Sequence, residues 1–84
     1  MIKKVKLYTL STCSHCKATK KFLTEKNIPF EATDVDLLEG KEREDALNDV
    51  IQYNPSRSFP TIIIGDKIIV GFKENDIREA LGIL

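Results

Sequence analysis

Cys13 and Cys16 stand three positions apart, with His15 between them, in the stretch LSTCSHCKATKKFL (residues 10–23). Two cysteines at this spacing can form a structural disulfide, supply half of a metal site, or react as a dithiol. A disulfide across two intervening residues closes almost no loop, so it would constrain the unfolded chain little. A structural zinc site normally takes four ligands, and the chain has two cysteines and one histidine. A zinc ion or a [2Fe–2S] cluster would therefore have to be shared between two chains or completed by an outside thiol. The third use, a reacting dithiol, needs only the two sulfurs.

Helix geometry gives the spacing a reason. Ser11 and Thr12 are helix-start residues just before Cys13. Residues i and i+3 share one side of a helix, roughly 5–6 Å apart. A disulfide spans Cα separations of about 4.4–6.8 Å. The pair is therefore expected to alternate between dithiol and disulfide with little backbone movement. The two sulfurs should be unequal. Unpaired N–H groups make a helix N-terminus favourable to an anion, and thiols placed there titrate at roughly 3.5–7.5 instead of about 8.5. Cys13 is expected to be the attacking nucleophile and Cys16, a turn further in, the resolving thiol. His15, when protonated, would favour the Cys13 thiolate; the plainer reading is an exposed loop side chain.

The elements that must position this pair follow from the apolar pattern. Residues 3–9 alternate as a strand. A helix follows with Ala18, Phe22 and Leu23 on one face, Asn27 as its C-cap and Ile28-Pro29 as its exit. Phe30 to Asp36 reads as a second strand. Gly40 to Gln52 reads as a helix with the stripe Ala46, Leu47, Val50 and Ile51, and the charges from Lys41 to Asp45 read as its solvated face. Thr61 to Val70 is a hairpin signal, two β-branched runs around Gly65-Asp66. Asn75 to Leu84 carries Ile77, Ala80, Leu81 and Leu84 at helical spacing. The order is β-α-β-α-β-β-α. The first unit is expected to pair parallel strands through a crossover, and the hairpin to add antiparallel strands, giving an α/β fold with a mixed four-stranded sheet and three helices.

A second feature precedes the hairpin, in SRSFPT (residues 56–61). Pro60 is tolerated as the first residue of a strand. The sharper reading is a cis peptide after Phe59 that leaves the Phe59 main chain free to pair with an extended thiol peptide.

At 84 residues the chain is expected to be a single domain, residues 1–84. Its 13 basic and 13 acidic side chains cancel, which gives no reason to expect a nucleic-acid partner. No apolar run reaches the about 18 residues that would suggest a membrane span. The N-terminus lacks the apolar run and small-residue site of a signal peptide. A cytoplasmic location is expected, where thiols stay reduced, and with it a monomer.

Together, YTLSTCSHC after the first strand, SFPT before the hairpin and VGFKEND before the last helix resemble the glutaredoxins and glutaredoxin-like proteins of the thioredoxin-fold superfamily. The resemblance covers nearly the whole chain. It implies a thioredoxin-like (glutaredoxin) fold, a cis Phe59–Pro60 bond, and thiol–disulfide exchange on disulfide-containing protein or small-molecule substrates, with no bound cofactor. It also implies that glutathione or thioredoxin reductase is the electron donor. By position, Cys13 and Cys16 match the redox pair, with Ser14-His15 in place of the usual Pro-Tyr. Phe59-Pro60 matches the segment whose backbone holds the glutathione cysteinyl unit, and Arg57 matches a residue for a glutathione carboxylate. Gly71 matches the first glycine of a Gly-Gly turn, and Glu74 or Asn75 its acidic end. Phe72 replaces the second glycine. A ring there would obstruct the γ-glutamyl end of glutathione; VGF is instead similar to the glutaredoxin-like proteins that take electrons from thioredoxin reductase. The plainer reading of Phe72 is a core or edge aromatic.

Overall fold

The computed structural model describes residues 4–56 and 58–83. Lys3, Arg57 and Leu84, which the sequence reading used, lie outside them.

The elements are β1 (Val5–Thr9), α1 (Ser14–Glu25), β2 (Glu31–Asp34), a 3₁₀ turn (Val35–Leu37), α2 (Gly40–Tyr53), β3 (Thr61–Ile64), β4 (Lys67–Val70) and α3 (Glu74–Leu81). The strands form one mixed sheet in the order β2-β1-β3-β4. β1 and β2 run parallel, and β3 lies antiparallel to both β1 and β4. This is the expected β-α-β-α-β-β-α order and a thioredoxin-like fold.

Alternation along the strands divides the core. Val5 and Leu7 of β1, with Ile62 and Ile64 of β3, face Phe22 and Leu23 of α1 and Ile77 and Ala80 of α3. Tyr8 faces the other side, where it packs with Val35 and with Ala46 and Val50 of α2. Helices thus cover both faces, as a partly parallel sheet requires. The β3–β4 connection is the two-residue turn that the β-branched runs implied: Ile64 pairs with Lys67, and Gly65 has φ +61°, the sign a primed hairpin turn needs at its first central residue.

The end of β2 and the buried faces of α2 and α1 differ from the sequence reading. β2 ends at Asp34, not Asp36, because β1 supplies no partner beyond Thr9↔Asp34; the chain then turns Val35 into the core and frees Asp36 to face the Cys13 loop. In α2 the buried line is Ala46 and Val50, whereas Ile51 stays 39% exposed; a helix turns roughly 100° per residue, which carries Ile51 past the sheet contact. In α1 Ala18 is only half-buried, and Cys16, Thr19, Phe22 and Leu23 form the buried face. Thr19 satisfies its hydroxyl within the helix, donating to the His15 carbonyl at 2.8 Å.

Asn27 does end α1, one position beyond the C-cap Lys26 and with φ +57°. Its N–H donates to Thr24 O at 3.1 Å, and the Ile28 N–H donates to Leu23 O at 2.9 Å. This pair of bonds is the Schellman pattern, for which asparagine is the usual substitute for glycine.

Candidate active site

The sheet register brings the candidate residues to one end of the molecule. β1 finishes at Thr9, beside Asp34 at the end of β2. Thr61, the first residue of β3, pairs with Val70 at the end of β4, and its neighbour Tyr8 closes the row. The Cys13 loop, the Phe59–Pro60 segment and Gly71 therefore all leave the sheet at the same edge. Such chain ends are where open α/β sheets place their ligands.

Cys13 is itself the N-cap of α1, in place of Ser11 or Thr12. Its backbone is extended (φ −82°, ψ 121°), and its Sγ accepts the Cys16 N–H at 3.2 Å. The Cys13 carbonyl takes the first helical bond, from the Lys17 N–H at 3.1 Å. A sulfur in this role faces the unpaired donors of the first turn, an environment that stabilises negative charge on it. Cys13 is half-buried, and Cys16 is inaccessible to solvent. Burial, with the hydrogen bond from its S–H to the Cys13 sulfur, pushes the Cys16 thiol up to about 12 from an ordinary 9.0. The two sulfurs thus occupy opposed environments. His15 is exposed in the first turn.

Two carboxylates brace the loop that carries Cys13. Asp36 accepts both the N–H of Ser11, at 2.9 Å, and its hydroxyl, at 2.5 Å. Asp34 accepts the Thr9 hydroxyl at 2.5 Å and the Lys20 ammonium at 2.9 Å. These bonds hold both carboxyl groups below the usual carboxylate range: for Asp34 the Thr9 hydroxyl first and then Lys20, for Asp36 the Ser11 hydroxyl and then its N–H. Ser11 is thus a ligand of Asp36 rather than a helix cap.

The Phe59–Pro60 peptide bond is cis. Pro60 is buried, and Phe59 is half-buried against the Tyr8 cluster. The loop is held by Asn54, which is 5% exposed. Its Nδ2 reaches Ser58 O at 3.0 Å, Ser58 Oγ at 3.2 Å and Thr61 Oγ1 at 3.2 Å, and its Oδ1 accepts the Ser56 hydroxyl at 2.6 Å. The Gly71 N–H donates to Pro60 O at 2.9 Å, which joins the SFPT and VGFKEND segments directly. Gly71 has φ +88°, a conformation glycine adopts freely. Phe72 turns its ring onto Phe22, edge-on with centroids 6.0 Å apart, and packs against the first core cluster. This is the placement of a core-edge aromatic. Glu74 opens α3 and pairs with Arg78 at 3.3 Å.

Sequence reasoning did not find Asp34, Asp36, Lys20 or Asn54. The first two act on residues 25 positions away, and no local pattern marks such a contact. The Asn54 bonds are shorter in range, and an asparagine at a helix end followed by Pro55 and Ser56 was the available signal. Among the described residues, no three His, Cys, Asp or Glu side chains are grouped so as to hold a metal ion. Among the same residues, no helix is long and apolar enough to cross a membrane.

A model of the glutaredoxin family matches residues 5–69. An uncharacterised glutaredoxin-like 8.6 kDa protein of the rubredoxin operon of Clostridium pasteurianum is 38% identical over 78 residues, 92% of this chain and 96% of that protein. The crystal structure of Methanosarcina acetivorans methanoredoxin is 54% identical, with a TM-score of 0.92 over 96% of this chain and 86% of that one. That of a glutaredoxin from Methanosarcina mazei is 56% identical, with a TM-score of 0.89 over 96% of this chain and 80% of that one.

Proposed function

The chain belongs to the glutaredoxin family, and from that premise we propose that it is a dithiol thiol–disulfide oxidoreductase in which Cys13 attacks and Cys16 resolves. The observation that carries this reading is the hydrogen bond from the Cys16 N–H to Cys13 Sγ, with Cys16 inaccessible one turn behind. One sulfur is presented at the helix mouth beside a backbone donor, and the other is buried and held protonated until it is needed.

The steps follow from this asymmetry. The Cys13 thiolate attacks one sulfur of a substrate disulfide. A Cys13–substrate bond forms, the substrate S–S bond breaks, and the departing thiolate takes up a proton. Cys16 then loses its proton and attacks the Cys13 sulfur. The mixed disulfide breaks, the second substrate thiol leaves, and the protein holds a Cys13–Cys16 disulfide. Two electrons have passed to the substrate, and two from an external reductant restore the dithiol.

In this reading Asp34 and Asp36 fix the approach to Cys13, and the exposed His15 adds positive charge near it when protonated. The Phe59–Pro60 and Gly71 main chain, with Glu74, faces the substrate, and Arg57 assists with a substrate carboxylate. The reaction belongs in a compartment where thiols stay reduced, such as the cytoplasm. Phe72 replaces a family glycine, so the electron donor is the open specificity of the site. Recycling of the oxidised protein by glutathione with glutathione reductase, compared with thioredoxin reductase, identifies the donor. Turnover with neither, in a preparation that also fails to reduce insulin with dithiothreitol, would contradict the proposal.

A further inference from the structure

We propose that Asn54 is a positioning residue for substrate affinity: its buried carboxamide holds Ser56, Ser58 and Thr61, on both sides of Phe59, in the arrangement the substrate meets. The inference rests on the reading of Phe59 and Pro60 as the substrate-facing segment.

Asn54 closes α2, where its own N–H donates to Val50 O at 2.6 Å. The side chain therefore starts from a fixed point. From there one carboxamide reaches three acceptors and accepts one hydroxyl. An amide nitrogen carries two hydrogens, so the three acceptors, Ser58 O, Ser58 Oγ and Thr61 Oγ1, share them. Thr61 Oγ1 in turn donates to Ser58 O at 2.9 Å, and the Ser56 and Ser58 hydroxyls lie 3.1 Å apart. Asn54 and Thr61 are both buried, at 5% and 0% exposure. Their polar atoms become costly if left unpaired.

The destination of these bonds separates positioning from bulk stability. The side chain of Asn54 bonds to Ser56, Ser58 and Thr61, and none of these partners belongs to the two hydrophobic clusters. Losing the bonds should loosen the backbone around Phe59 locally, at a free energy well below that of global unfolding. A loosened binding segment must be ordered when substrate arrives, and that cost appears in KM rather than in the reactivity of Cys13.

The test measures insulin reduction with dithiothreitol as the reductant, for wild type, Asn54→Ala and Thr61→Val. Both variants should raise KM for insulin, by about 5- to 20-fold for Asn54→Ala and less for Thr61→Val, with kcat and Cys13 alkylation by iodoacetamide within about twofold of wild type. Amide exchange at Gly71, whose N–H donates to Pro60 O, should quicken in both. Lower melting temperatures with unchanged KM and unchanged exchange would overturn the inference and make Asn54 a purely structural residue. Thr61→Val decides the matter alone if Asn54→Ala does not fold. A wild type that reduces no insulin would overturn the functional reading, and the exchange rates would still report separately on Asn54.

Discussion

The Cys16 N–H donates to the sulfur of Cys13 across 3.2 Å, so the backbone of one cysteine meets the side chain of the other. That N–H meets the sulfur at the helix mouth, while the side chain of the same residue is sealed against the core.

Removing either sulfur should therefore have different consequences. Cys13→Ser should lower insulin reduction by at least about 100-fold, because the nucleophile is gone. Cys16→Ser should still attack but stall, accumulating a Cys13 mixed disulfide detectable by intact-mass spectrometry. Equal loss in both variants with no trapped adduct would contradict the division of labour.

Acid should loosen the brace beneath the site. Asp34 and Asp36 titrate below the ordinary 3.8 in the folded protein. A depressed folded value means that the stability they contribute is present above about pH 4 and is lost as pH falls through the folded values. Asp34→Ala should cost about 1–2 kcal/mol near pH 7, the scale of a charge-assisted hydrogen bond at a half-buried position. The deficit should shrink below pH 4. Urea midpoints at pH 7 and pH 3 check this; a deficit independent of pH would contradict it.

At high pH the sign reverses. Cys16 is raised to about 12 in the folded protein, against an ordinary 9.0. Its contribution is complete below pH 9 and is lost as pH rises from about 9 towards 12, at up to about 1.4 kcal/mol per pH unit. The reduced wild type should lose stability over this range faster than Cys16→Ala. Parallel curves would show that the buried thiol titrates normally.

His15→Tyr tests the charge beside the nucleophile. A group that stabilises the thiolate stabilises the reduced form and makes the disulfide more oxidising. Replacing His15 should lower the reduction potential by roughly 10–30 mV, measured by equilibration with a glutathione redox buffer. An unchanged potential would reduce His15 to an exposed loop residue.

Much of this was legible in the sequence because local rules suffice for it. The Gly65-Asp66 turn, the apolar alternation of β1 and the helix entry at Cys13 depend on neighbours within a few positions. The cis bond before Pro60 was supported by resemblance more than by local preference. The end of β2 was not legible, since it is set by where β1 runs out of partners. Nor was the brace, in which Asp36 reaches Ser11 and Asp34 reaches Thr9 from a different strand. The packing of Phe72 on Phe22 joins segments 50 positions apart, and no local pattern marked it.

The most direct test of the central claim is competitive alkylation of the reduced protein with iodoacetamide at pH 6, with the labelled site read by peptide mass spectrometry. Cys13 should be modified and Cys16 left free. Preferential labelling of Cys16, or equal labelling of both in the folded protein, would contradict the assignment of an accessible anionic sulfur at the helix entrance with a shielded partner behind it.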